Sequence, residues 1–281
     1  MLESKSLAVL SEALSNLEQG FNELPEMFVD TDIDSLREVM QLVANKMKDN
    51  YPYFHPLYAG QMLKPPHPIA RIAYMLSLWI NPNNHAMDGG RASSEMEKEA
   101  VAQISAMFCW DRFLGHLSSG GTMANLEALW VAGKLCPGKT ILASDQAHYT
   151  HSRISEVLGL PFSSVSSDQS GRMNIDALEE AVKTGHIGTV VATLGTTGSG
   201  TIDPLVEILA LKNKYGFRVH ADSAYGGYFT LIDNLNQRGR RAFDAIPEVD
   251  SIVVDPHKHG LQPYGCGCVL FKDPEVGRLY K

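Results

Sequence analysis

The stretch "TVVATLGTTGSGTIDPLVEILALKNKYGFRVHADS", residues 189–223, decides the fold. It opens on a short, continuous run of β-branched and apolar residues, the pattern of a strand buried on both faces. A turn rich in Gly and Thr follows. Pro204 then stands at the first turn of a helix, where its missing N–H costs nothing. "FRVHADS" is a second strand. Strand, helix and strand in this order make a crossover unit of a parallel sheet.

The same rhythm runs outward from this unit. From residue 117 a Gly-rich turn opens the helix "MANLEALWVAGKL", followed by the strand "TILAS", the helix "HSRISEVLGL" and the strand "FSSVSS". "IDALEEAVKTG" is a helix opened by Asp176 or Asn174, and "SIVVDP" and "GCVLF" are further strands. The expected class is α/β, with a mostly parallel central sheet flanked by helices. A helical segment precedes it. Residues 2–19 and about 34–48 read as amphipathic helices, with Leu7, Leu10, Leu14 and Leu17 on one stripe and Asp32 or Asp34 capping the second. The proline-rich residues 51–68 read as extended, irregular chain. "IARIAYMLSLWI" and "SSEMEKEAVAQISAMFCW" are helices again, with Ser93 or Ser94 as a cap and Glu97 three residues after Ser94. The expected division is an N-terminal helical and irregular segment, 1–68, and a large domain, 69–281.

Composition narrows the partners. The 281 residues are 44% hydrophobic and 20% charged, with a formal net charge of −8. Scattered Lys and Arg in an acidic chain argue against nucleic acid or an anionic membrane as partner. A small anion is still allowed, because binding depends on the local field. Cys109, Cys136, Cys266 and Cys268 do not make a disulfide framework in a chain this long. Cys266 and Cys268 share one face of a strand, as buried structural thiols or as a metal or redox pair. The N-terminus lacks the basic and apolar regions of a secretory signal, and the apolar runs are far short of the roughly 20 residues that span a bilayer. A cytoplasmic location is the expectation.

Ligands of open parallel sheets bind beyond the carboxyl ends of the strands. Four segments stand there: "DQAHYTH", "TTGSG", "DSAYGG" and "DPHKHG". "SSGGTMANLEAL" sets Gly120, Gly121 and Thr122 at a helix start, either a plain turn or a cradle for phosphate. Asp222 is a cap, a structural ion pair or the partner of a ligand cation. The spacings of His148 with His151 and of His257 with His259 do not by themselves define a metal site, and no metal is expected. "SIVVDPHKHG", residues 251–260, places Lys258 between two histidines: a solvated turn, a metal site or a reactive amine. Together, an anion cradle, an aromatic ring for stacking, a carboxylate and a carbonyl-seeking amine fit pyridoxal 5'-phosphate.

From about residue 50 onward the chain resembles the group II pyridoxal-phosphate-dependent amino acid decarboxylases, of the aspartate-aminotransferase fold type (fold type I). The resemblance rests on the ordered set "SSGGTMANLEAL", "HYTHSRISEVLG", "TLGTTGSGTIDP", "VHADSAYGG" and "DPHKHG". It implies Lys258 as the aldimine lysine, Asp222 as partner of the pyridine nitrogen and His148 as the imidazole stacked on the ring. Ala224 would pack on the ring's other face. Gly121 and Thr122 would contact the phosphate with His257 near them, and Thr197 would lie near the ring hydroxyl. Many members have Asn where this chain has Asp255, and an acid there suits a phosphate only if it points away. No role is implied for His259. The implied reaction is decarboxylation of an L-amino acid to an amine and CO2, by a homodimer with its site at the interface. A carbon–carbon lyase like the sphingosine-phosphate lyases, a transaminase and a non-catalytic fragment are the alternatives. Family members continue past the lysine with a mobile, tyrosine-bearing loop and a small C-terminal domain, so this sequence reads as truncated. The substrate amino acid is not legible.

Overall fold

The computed structural model describes residues 4–25 and 31–281. They fall into two compact units, Met1–Asn81 and Pro82–Lys281. The first unit holds helices α1 (Ser4–Gln19), α2 (Ile33–Met47) and α3 (Pro68–Ile80). Residues 2 and 3 of the first expected helix lie outside the described residues. Helix α1 packs on α3, and Leu10 of its leucine stripe is buried. Asp32 caps α2, its Oδ1 accepting from the N–H groups of Asp34 and Ser35 at 3.1 Å each. The proline-rich stretch stays irregular until α3, where Pro68 takes the first turn and the His67 ring accepts the N–H of Ile69.

The second unit runs α4 (Arg91–Met107), β1 (Leu114–Ser118), α5 (Gly121–Leu135), β2 (Thr140–Ser144), α6 (Thr150–Val157), β3 (Phe162–Val165), α7 (Ile175–Val182), β4 (Ile187–Thr193), α8 (Leu205–Tyr215), β5 (Arg218–Asp222), α9 (Gln237–Asp244), β6 (Ser251–Val254) and β7 (Gly267–Phe271). Helix α4 starts earlier than expected. Gly90 is its cap, and Ser93 sits inside the first turn, donating to the Gly90 carbonyl at 3.1 Å. Asn174, not Asp176, caps α7 by accepting the Ala177 N–H at 3.0 Å. Strand β1 and helix α9 have no counterpart in the sequence reading, because Gly115 and Gly239 interrupt their local patterns.

The strands form one seven-stranded sheet in the order β1-β7-β6-β5-β4-β2-β3. Pairs β2–β3, β2–β4, β4–β5 and β5–β6 are parallel, and β7 runs antiparallel to both β6 and β1. Side-chain alternation divides the central strands between two cores. Val190, Ala192, Val219, Ala221, Ile252 and Val254 join α4, α7, α8 and α9 on one face. Val191, Val253, Val269, Ile141 and Ala143 meet α5 and α6 on the other. A strand covered on both faces must be apolar at every position, which is why β4 and β6 read as continuous runs. The sheet is the mostly parallel, helix-flanked α/β sheet expected from the sequence. No described helix is long and apolar enough to cross a membrane.

This topology brings the C-terminal ends of β2, β4, β5 and β6 to one edge. The segment leaving β5 is pressed against the end of β4, with Gly226 packed on the backbone carbonyl of Leu194. A methyl group on Gly226 would fall inside that carbonyl, and no flexible side chain is there to yield. Gly226→Ala is expected to cost about 2–4 kcal/mol of unfolding free energy, read as a lower urea midpoint. Gly216→Ala is the control. Its positive φ of 76° strains alanine but no atom lies within 4 Å of the added methyl, so its loss should be nearer 1 kcal/mol.

Candidate active site

Strand β5 delivers two polar side chains, His220 and Asp222, to the face covered by α5 and α6. Period-two geometry puts them on the same side, with apolar Val219 and Ala221 on the other. Both are buried, so each needs partners. The Asp222 Oδ2 lies 2.8 Å from His151 Nε2 and accepts from Asn125 Nδ2 at 3.4 Å, while Oδ1 accepts the Ala224 N–H at 3.1 Å. Asn125 Oδ1 in turn accepts from His220 Nε2 at 2.8 Å, and His220 Nδ1 meets the Ser251 hydroxyl at 2.9 Å. Burial works against the Asp222 charge, but the hydrogen bond and charge of His151 outweigh it and hold the carboxyl well below its usual range. Burial pushes His220 down to about 3, with the charge of His151 acting in the same sense, so its ring is neutral.

The segment after β6 supplies the rest. Lys258 Nζ lies 2.9 Å from Asp255 Oδ2, with the lysine side chain 18% exposed and the acid 3%. Both oxygens of Asp255 stand within 3.0 Å of where a Cβ on Gly121 would be, and the Ala224 Cβ is 3.2 Å from that point. His257 Nδ1 donates to the Cys266 carbonyl at 2.6 Å, and its Cε1 is 3.4 Å from the Cβ position of Gly120. Gly120 needs to be glycine, because its φ of +147° disfavours any side chain. Gly121, Ala224, Asp222, His257 and Lys258 therefore converge. His259 turns away and packs its ring 4.7 Å from Tyr225 and 4.6 Å from Phe229.

His148 is half-buried and stacked on Tyr149, with Nδ1 2.8 Å from the Thr150 hydroxyl. Burial pushes its pKa below the ordinary imidazole range. The charges of Asp222 and Asp255 oppose that shift, and those of His151 and Lys258 reinforce it. Thr122 is exposed at the second position of α5. Thr197 is exposed in the turn after β4 and is not part of this set of contacts; the buried hydroxyl there belongs to Thr196, which bonds Ser199 and the Thr201 N–H. Burial raises the thiols of Cys266 and Cys268 to about 11 and about 12, which keeps them protonated.

Sequence reasoning missed His151, Asn125 and His220. The signal for His220 was the period of two from Asp222. His151 was weighed only as a metal ligand, and Asn125 sits in an unremarkable helix. Asp255 does not point away from the glycine turn, which was the condition for an acid to suit a phosphate there.

These residues suit a phosphorylated heteroaromatic aldehyde. Helix α5 begins without a side-chain cap behind two glycines, an arrangement that favours an anion. The Lys258 side chain is partly exposed. A carboxylate held ionised by His151 is a fit partner for a protonated ring nitrogen, whereas Asp255, with its buried Oδ1 unpartnered, is the group here that does not suit a phosphate.

The chain has relatives among known proteins. Residues 126–276 match the pyridoxal-dependent decarboxylase conserved domain, and the chain belongs to that family, the group II pyridoxal-phosphate-dependent decarboxylases. It is 31% identical over 219 residues to the probable L-tyrosine/L-aspartate decarboxylase of Methanothermobacter thermautotrophicus, covering 76% of this chain and 59% of that protein. It is 34% identical over 242 residues to the aspartate 1-decarboxylase of Aliivibrio fischeri, covering 70% and 44%. Among solved structures, the glutamate decarboxylase domain of a diaminobutyrate-pyruvate transaminase and L-2,4-diaminobutyrate decarboxylase from Vibrio parahaemolyticus superposes with TM-score 0.80 at 22% identity. That match covers 98% of this chain and 67% of the other, and shows the shared fold. The chain spans roughly half the length of these curated relatives.

Two outcomes follow from the buried network. His151→Ala leaves Asp222 without its closest partner, and a loss of about 3 kcal/mol or more is expected in urea unfolding. The unfolded His220 ring takes a proton near about pH 6.5, whereas the folded ring resists it down to about 3. The unfolded state thus binds more protons in this window, and stability falls as pH drops through it, by at most about 1.4 kcal/mol per pH unit. His220→Gln should flatten that slope, read from urea midpoints between pH 7 and 4.

Proposed function

We propose that this chain is the cofactor-binding part of a pyridoxal-phosphate-dependent carboxy-lyase that converts an L-amino acid to its amine and CO2. The observation that carries the reading is the series of contacts from Lys258 through Asp255 and Ala224 to Asp222, with the Gly121 turn beside it. When bound, pyridoxal phosphate supplies an aldehyde that condenses with amines and a protonated ring that draws electrons from the substrate's α-carbon. Lys258 would hold the cofactor by its amine. Once released, that amine can carry a proton to or from a substrate atom. Asp222 would keep the ring nitrogen protonated. His148, kept neutral by burial, offers a flat face for stacking. Gly121 and Thr122, with His257, would hold the phosphate at the start of α5. Ala224 leaves room beside the glycine turn that a larger side chain would fill. Residues 69–281 would form the cofactor-binding domain. Aspartate, named for both curated relatives above, is the first substrate to assay.

A homodimer is the assembly we expect. Helix α2 has no buried residue and carries Leu36, Val39, Met40, Val43 and Met47 exposed at helical spacing. Val43→Glu with Met40→Glu should shift the chain from dimer to monomer in sedimentation.

The cofactor reading is tested with the full chain and added pyridoxal phosphate. Borohydride reduction should fix the cofactor to Lys258, read by mass spectrometry, and Lys258→Ala should abolish the adduct. Asp222→Ala should weaken cofactor binding more than Asp222→Glu does. Equal binding by the two would remove the role of Asp222. An aldehyde product without CO2 would replace the carboxy-lyase with a carbon–carbon lyase.

A further inference from the structure

Asp255 is a buried group to which the reading above gives no chemical role. It is nearly sealed from solvent, Oδ1 has no hydrogen-bond partner, and both oxygens lie within 3.0 Å of the point a Cβ on Gly121 would take, beside the uncapped start of a 15-residue helix. An anion from the chain itself therefore lies against the place where an external anion would be held. We propose that Asp255 serves as an internal occupant of this anion cradle. A dianionic ligand, such as the phosphate end of the cofactor, enters only together with a proton that neutralises Asp255. The proposal rests on the cradle assigned under the functional reading and adds a condition for filling it.

The surroundings explain why neutralisation is favoured over coexistence. Two like-charged groups at one helix terminus repel, and little water is present to screen them. The charged and titratable groups around Asp255 are Lys258, 2.9 Å away, His257, 3.7 Å away, and Asp222 across the site. His148, Tyr228 and Cys266 also feel its charge. Burial is the largest influence on Asp255 and raises its pKa above the usual carboxylate range, while Lys258 and His257 pull it down. The acid is thus already biased toward taking a proton. An arriving dianion adds to that bias, and linkage makes its affinity depend on pH in return. Protonation is a single transfer from solvent to the Asp255 carboxylate. No other bond changes.

Sulfate is the probe, because its charge is constant from pH 5 to 8. The full chain and Asp255→Asn are titrated with sulfate by calorimetry across that range, with far-UV circular dichroism as a check on folding. Asp255→Ser is a second neutral variant in case the amide misfolds. At pH 7.5 the neutral variants should bind sulfate at least tenfold more tightly than the natural chain. The gap should narrow as pH falls across that range, because protonation neutralises only the natural chain. Equal affinity at pH 7.5 overturns the proposal. So does a gap that persists unchanged at every pH, or sulfate binding by none of the chains. If the sulfate contrast appears but borohydride traps no cofactor on Lys258, this inference stands and the cofactor reading falls. If borohydride traps the cofactor but the contrast is missing, the cofactor reading stands and this inference falls.

Discussion

A carboxylate buried at the end of a central strand has to be answered by donors, and the answer given to Asp222 organises this protein. His151 arrives from α6, Asn125 from α5 and the Ala224 N–H from the turn after β5. Each contact draws a different part of the chain onto one strand. His220, two residues earlier on the same face, extends the network through Asn125 to Ser251 of β6. The hydrogen bonds of this network are directional, although the buried Nδ1 of His151 is left without a partner. The network therefore fixes how α5 and α6 sit on the sheet more narrowly than apolar contact could.

That arrangement has a consequence at the start of α5. The helix that supplies Asn125 to the interior also begins at Gly121, one turn earlier. Anchoring Asn125 thus sets where the uncapped helix start faces. The glycines there admit the Asp255 carboxylate, and the segment bearing Asp255 also bears Lys258. One short helix turn connects the buried acid of β5 with the amine that follows β6. The chemistry proposed for the site draws on both ends of this link.

Much of this was legible in residue patterns. Continuous apolar runs such as "TVVATLG" and "SIVVDP" identify strands covered on both sides, and helices between them dictate parallel pairing. The sites at strand ends followed from topology. What escaped the sequence depended on three-dimensional pairing. "LGHLS" is a strand only because β7 lies antiparallel beside it, which no local period records. His151 and Asn125 are ordinary helix residues until α5 and α6 fold over Asp222. Thr197 illustrates the reverse: two adjacent threonines are equivalent in sequence, and only the turn decides that Thr196 is the buried one.

The return of β7 beside β6 also determines how the lysine can move. Both ends of the intervening segment are tied to neighbouring strands, and His257 N–H is further secured to the Cys266 carbonyl across its base. Like a span fixed at two piers, the segment allows little travel of its main chain. The amine is left with the swing of its own four-carbon arm. Such rotations take picoseconds to nanoseconds at exposed side chains. Here the arm is mostly covered and moves only by leaving its ion pair with Asp255, so that pair, rather than the main chain, is the hold on the amine.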